Sequence, residues 1–207
     1  LGGALDPDGV QQLRFVLGVA ESLERKVVLS MQNSGDYTTR VDGAPTACAL
    51  DKKVGGAVRV STGDLAEFWS RMSYALSGLP SLVGYGLMTG PHDLAKGTWV
   101  RASSAAVEAI RLENDLTPVF VAGNGRSRAS AWATQNPGEP WIEDPLDKVI
   151  YEAHCYLDDD ESGQYRMTFD EELKADSKLK ERSQKRLKPF VKWLEAGEAK
   201  GALTEFG

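Results

Sequence analysis

His154 and Tyr156 stand two residues apart at the end of an apolar run, Lys148 to His154. In an extended strand that spacing turns both side chains the same way. An imidazole beside a phenol can donate, accept and carry protons. A third reactive group is Glu205, near the end of Lys200 to Phe206, which taken by itself is an ordinary strand-end carboxylate. The acidic stretch Asp158 to Glu161 lacks the glycine turn and distal glutamate of an EF-hand, so it reads as a solvated loop rather than a Ca²⁺ site. Cys48 and Cys155 are too few for a disulfide framework and too widely spaced for a metal knuckle. No metal and no cofactor is expected. No G-x-G-x-x-G or G-x-x-x-x-G-K follows an early strand, which argues against nucleotide binding.

The bulk properties narrow the partners. The chain has 207 residues, and its 24 Lys+Arg stand against 30 Asp+Glu for a formal net charge of −6. That balance, with no basic block, argues against nucleic acid as the main partner. No apolar run approaches the roughly 20 residues that span a bilayer, so no membrane partner is expected. The opening LGGALDPDGV has no initiator Met, basic start or apolar core. The sequence is therefore expected to be a mature form or a piece of something longer, with residues 1–207 forming one domain or part of one.

The elements that must carry these residues alternate. Helical spacing runs from about Asp8 to Arg25, capped by Asp6-Pro7. A short β-branched strand follows at Val27 to Leu29, then a long irregular loop from Ser34 to about Thr62. Leu65, Phe68, Trp69, Met72 and Leu76 mark a second helix, Leu82 to Met88 a strand, and Trp99 to Leu112 an Ala-rich helix. Pro118 to Ala122 and Lys148 to His154 are strands, and Ser127 to Pro140 is loop or short helix. A charged helix is expected from about Asp176 to Glu195, kinked or broken at Pro189. The chain closes on a strand, Lys200 to Phe206.

Five strands alternating with helices imply right-handed parallel βαβ units, in an α/β barrel or a doubly wound sheet. In a barrel, functional groups gather at the strand C-termini. Those positions are Ser30, Gln32 and Asn33; Thr89, Gly90, Pro91 and His92; Gly123 and Asn124; His154 and Tyr156; and Glu205. They are polar and aromatic, as a sugar site would be.

Five blocks in order resemble the cellulase-type (β/α)8 barrels of glycoside hydrolase family 5. VVLSMQNSGDY resembles their third strand and GYGLMTGPHD their fourth. PVFVAGNGRSRASAW resembles the fifth strand and its loop, and VIYEAHCYLDDDESGQY the sixth. KPFVKWLEAGEAKGALTEFG resembles the helix and seventh strand that carry the nucleophile in Gly-Glu-Phe-Gly. The resemblance covers almost the whole chain. It implies an incomplete barrel holding strands 3 to 7, so that the missing strands come from the rest of a longer chain or from another chain. It also implies a retaining mechanism, in which one carboxyl attacks the anomeric carbon and a second, about 5–5.5 Å away, protonates the leaving oxygen. Glu205 then takes the nucleophile position, Tyr156 hydrogen-bonds it, and His154 lines the sugar subsite.

The sequence departs from that pattern where it matters most. The usual Asn-Glu-Pro is Thr89-Gly90-Pro91, so the acid/base glutamate is lost at Gly90. On the third strand the expected aspartate is Ser30 and the expected histidine is Gln32. Gln32, Asn33, Thr89 and Trp132 are expected beside His154 and Tyr156 in substrate binding. Trp141 is expected to pack, His92 to serve its loop, Cys155 to point away from the site, and Arg126 and Arg128 to face solvent rather than an anion. The resemblance thus implies a β-linked glucan or mannan as partner, recognised with little or no hydrolysis. Two alternatives are an active endo-β-glycosidase borrowing Asp93 or Asp36 as its acid, and a structural barrel in a secreted or virion-surface assembly. Extracellular location follows from the resemblance alone.

Overall fold

The computed structural model describes residues 1–207. Helix α1 (Pro7–Ser22) starts at Asp6, whose carboxylate accepts from the Asp8 amide, with proline in the first turn. Strand β1 (Val27–Ser30) follows. The stretch expected to be irregular holds two small hairpins, β2 (Asp36–Val41) with β3 (Ala44–Ala49), and β4 (Lys53–Val54) with β5 (Ala57–Val58). The reason lies in the turns. Asp42 and Gly43 have φ of 49° and 81°, and Gly55 and Gly56 have 61° and 81°, the doubly left-handed pattern of a tight hairpin turn.

Helix α2 (Thr62–Leu76) opens with a capping box between Ser61 and Asp64. Then come β6 (Leu82–Gly86), α3 (Thr98–Leu112), β7 (Val119–Ala122), the short α4 (Trp132–Gln135) and β8 (Val149–Cys155). The expected helix from Asp176 divides in two. Helix α5 (Phe169–Ala175) has its own Thr168–Glu171 capping box, and α6 (Arg182–Ala196) continues through Pro189. Proline there forfeits one backbone hydrogen bond without ending the helix. Strand β9 (Gly201–Phe206) closes the chain.

The main sheet has the order β1-β6-β7-β8-β9, all parallel. Each strand pairs with the next one in the sequence of βα units, with no reversal. A doubly wound sheet reverses its order at a switch point; a barrel does not. The molecule is therefore a five-strand arc of a (β/α)8 barrel. One face packs on the helices through Tyr85, Val119, Val121, Tyr151 and Ala153, all buried. The helices are latched to the C-terminal strand ends by indole N–H groups. Trp69 Nε1 donates to the Leu87 carbonyl at 3.1 Å, and Trp99 Nε1 to the Ala122 carbonyl at 2.6 Å. These bonds fix the rim on which the site is built.

Strands β1 and β9 are each paired on one side only. Val28 on the first is 41% exposed and Leu203 on the second 37%. Both cysteines are free and buried. No helix is long and apolar enough to cross a membrane.

At the opposite end of the sheet, Arg111 ties three elements together. Its guanidinium lies 2.9 and 3.0 Å from the two Asp144 oxygens and also donates to the Asp115 and Thr117 carbonyls. Burial pushes the Asp144 carboxyl up, but Arg111 and the Lys148 and Leu146 amides outweigh it and hold it below the usual range. Arg111→Met leaves that carboxylate buried and unpaired, so urea unfolding is expected to show a loss of about 3–5 kcal/mol.

Candidate functional site

The five parallel strands end at one rim, and a cleft of about 390 Å³ opens there. Ser34 enters it from the loop after β1, and Thr89 and Gly90 from the end of β6. Arg126 and Arg128 come from the loop after β7, His154 and Tyr156 from β8 and its extension, and Glu205 from β9. Glu161, Ser162 and Gln164 close the side. Glu205 and Gly90 thus line the same cleft.

Glu205 reaches it through a bulge. Glu152 pairs with Ala202 and Ala153 with Leu203, but His154 pairs with Glu205, so Thr204 is an extra residue. Strict alternation would send Glu205 to the helix side along with Gly201 and Leu203. The extra residue flips it into register with His154, as bulges beside active sites do. Tyr156 Oη then donates to Glu205 Oε2 at 2.8 Å, and His154 Nδ1 stands 3.5 Å from the same oxygen. The other carboxylate oxygen accepts no protein hydrogen bond. The two neighbours hold the carboxylate in one orientation. The bond to Glu205, then burial and the Glu205 charge, push the Tyr156 phenol up to about 12, so it remains a donor. Burial outweighs the opposing pull of Glu205 and the Arg126 carbonyl on His154 and lowers it, which keeps the imidazole neutral near pH 7.

Gly90 lines the same cleft without a side chain. Its φ is +50°, and a Cβ built on it would lie 3.3 Å from Arg126 Cα and 3.4 Å from the Arg126 carbonyl. The Arg126 amide also donates to the Pro91 carbonyl at 3.2 Å. The loop after β7 therefore closes directly over Gly90. Thr89 Oγ1 and Ser30 Oγ sit 3.3 Å apart, bonded to one another beside the cleft.

Other expected site residues lie elsewhere. Trp132 has no exposed surface and packs in an aromatic cluster with Trp141, Phe190 and Trp193. It offers no ring face to a sugar, which corrects the expectation of stacking. Gln32 is exposed and outside the cleft wall. Asn33 folds back so that its Oδ1 accepts from the Gly35 amide at 3.4 Å, and the neighbouring Ser34 takes its place in the cleft. His92 lines an adjacent hollow rather than the cleft. Asp158 is also no solvated acid. It is buried, and it accepts from Ser162 Oγ and from the amides of Gly163, Gln164 and Tyr165, shaping the loop that brings Glu161 to the cleft.

One participant was missed. Glu152 is 5% exposed and shares strand parity with His154. That parity was the available signal, obscured because the residue lies inside an apolar run. Burial pushes its carboxyl up to about 7, the Thr204 hydroxyl opposes this, and the Glu205 charge adds to it.

A model of the family described as Cellulase (glycosyl hydrolase family 5) matches residues 1–207. A probable endo-beta-1,4-glucanase B of Neosartorya fischeri is 27% identical over 89% of this chain and 57% of its own. The crystal structure of Pseudomonas stutzeri endoglucanase Cel5A superposes with a TM-score of 0.78 at 33% identity, over 99% of this chain and 58% of that one. The same enzyme solved in complex with cellobiose gives 0.79 at 32% identity, over 99% of this chain and 56% of that one. This chain therefore spans little more than half the length of the relatives it matches.

The raised Glu152 carboxyl has a consequence for stability. Between about pH 4.5 and 7 the folded chain holds a proton there that the unfolded chain has lost. Stability must fall as pH rises through that window and level off above it. Thermal unfolding against pH is expected to show that fall as the difference between the chain and Glu152→Gln, at most roughly 3 kcal/mol for a shift of this size, because the lowered His154 acts with the opposite sign over part of the window.

Proposed function

The chain belongs to glycosyl hydrolase family 5, and from that premise we propose that it is a β-glycan-recognising barrel module, for glucan or mannan, with little or no hydrolysis. The observation that carries this reading is Gly90, a side-chain-free residue lining the same cleft as an oriented Glu205. The only other carboxyl group in the cleft is Glu161. It lies 3.1 Å from Arg186 Nε and accepts from Ser130 Oγ at 2.6 Å.

The magnitudes fit a selective loss. A positioned acid contributes about 10²–10⁴-fold, or roughly 3–5 kcal/mol of barrier. A sugar leaving group needs that proton, whereas a dinitrophenolate leaves without it.

The endoglucanase names of the relatives favour a second reading, an active retaining endo-β-glycosidase with a substitute acid. Asp93 and Asp36 are poor candidates for that role. The Asp93 side chain is 94% exposed and lines the adjacent hollow, and Asp36 is exposed on β2 outside the cleft wall. Glu161 would have to leave Arg186 to serve. The remaining barrel strands are proposed to come from the rest of a longer chain or from another chain, which the one-sided edges β1 and β9 support.

With 2,4-dinitrophenyl β-cellobioside the protein is expected to release a burst of phenolate and, with azide, to form β-cellobiosyl azide. Glu205→Gln should abolish both, and cellohexaose should be recovered intact while giving binding heat. Rapid cellohexaose cleavage would select the second reading. Residues 1–207 expressed alone are expected to self-associate or unfold without cooperativity. Sedimentation and calorimetry check this, and a cooperative soluble monomer would contradict the completion proposal.

A further inference from the structure

We propose that Arg126 and Arg128 make this cleft a site for an acidic β-glycan, one whose sugar rings carry carboxylates. The inference rests on the glycan-recognition reading above and specifies its ligand.

Both arginines line the cleft that holds Gly90 and Glu205. Both also line the adjacent hollow of about 640 Å³, which contains Lys96 and His92. They form the ridge between the two. Neither guanidinium has a carboxylate within ion-pair distance. Arginines that are buried elsewhere are all committed: Arg111 to Asp144, Arg182 to Glu172 and Asp176, and Arg186 to Glu161. The carboxylates of the cleft are engaged too, Glu161 by Arg186 and Glu205 by Tyr156 and His154. Arg128 is half-buried and so gives up hydration without an anion in return, which is costly.

The backbone that carries the exposed Arg126 and leads into Arg128 is strained. Gly125, Arg126 and Ser127 have φ of 65°, 64° and 57° in succession. The two non-glycine residues cost about 1–2 kcal/mol each in that region. Ser127 offsets this: its Oγ accepts from the Gly123 amide at 2.8 Å and donates to the Glu152 carbonyl, while its carbonyl accepts from the His154 amide at 2.8 Å. Such strain beside a cleft is characteristic of functional sites. At Gly90, where a carboxylate could have neutralised the pair, there is none. Two guanidinium forks on one ridge match carboxylates bidentately, whereas a neutral sugar needs no such charge. The chain's net charge of −6 gives an acidic ligand no long-range attraction, so the contacts must be local.

Isothermal titration of the full chain with cellohexaose and with its C6-oxidised counterpart, the β-1,4-glucuronate hexamer, tests this. The oxidised hexamer is expected to bind at least about tenfold tighter at low salt, a preference that shrinks as salt rises. The double variant Arg126→Gln/Arg128→Gln should bring the ratio of the two affinities to about one. Arg126→Lys/Arg128→Lys, which keeps the charge and loses the fork, should retain an intermediate, salt-sensitive preference. Equal binding of the two hexamers, a preference that survives in the glutamine variant, or free glucuronate binding as tightly as the oxidised hexamer would overturn the inference and leave glycan recognition standing. Absence of heat with either hexamer would overturn both.

Discussion

The pairing of β8 with β9 is the constraint on which the site depends. A single extra residue, Thr204, puts Glu205 opposite His154 instead of one step out of phase. Without that bulge the carboxylate would face the helices and Tyr156 would lose its acceptor. Beneath it, the buried Glu152 carboxyl is pushed up to about 7, by burial first and then by the Glu205 charge, against the Thr204 hydroxyl.

Gly90 does more than lack a carboxyl. Its positive φ and the approach of Arg126 leave the space for a side chain there crowded. A glutamate there would meet both a disfavoured backbone conformation and the neighbouring chain. On the proposed reading, the bare Gly90 and the closure of the loop after β7 reinforce each other. Family membership describes ancestry and fold, while function is carried by the particular groups in the cleft.

Most of the sheet was legible in the sequence because buried parallel strands read as short β-branched runs, and Val119 to Ala122 and Val149 to Cys155 fall within a residue or two of expectation. The positions of Glu205 and Gly90 came from resemblance; alternation by itself would have turned Glu205 the wrong way. The hairpins between Asp36 and Val58 were missed although Asp42-Gly43 is a strong turn signal. Trp132 was misjudged because its place in a rim loop says nothing of the aromatic cluster formed by α6 and the segment before β8. Glu152 escaped notice because a carboxylate inside an apolar run reveals its role only when the strands beside it are known.

On the proposed reading Glu205 remains a competent nucleophile in a cleft without an acid. Incubation with 2,4-dinitrophenyl 2-deoxy-2-fluoro-β-cellobioside, followed by peptide mass mapping, is the sharpest test. One 2-deoxy-2-fluorocellobiosyl adduct is expected, located on Glu205. An unmodified Glu205, or an adduct on a different residue, is incompatible with that role.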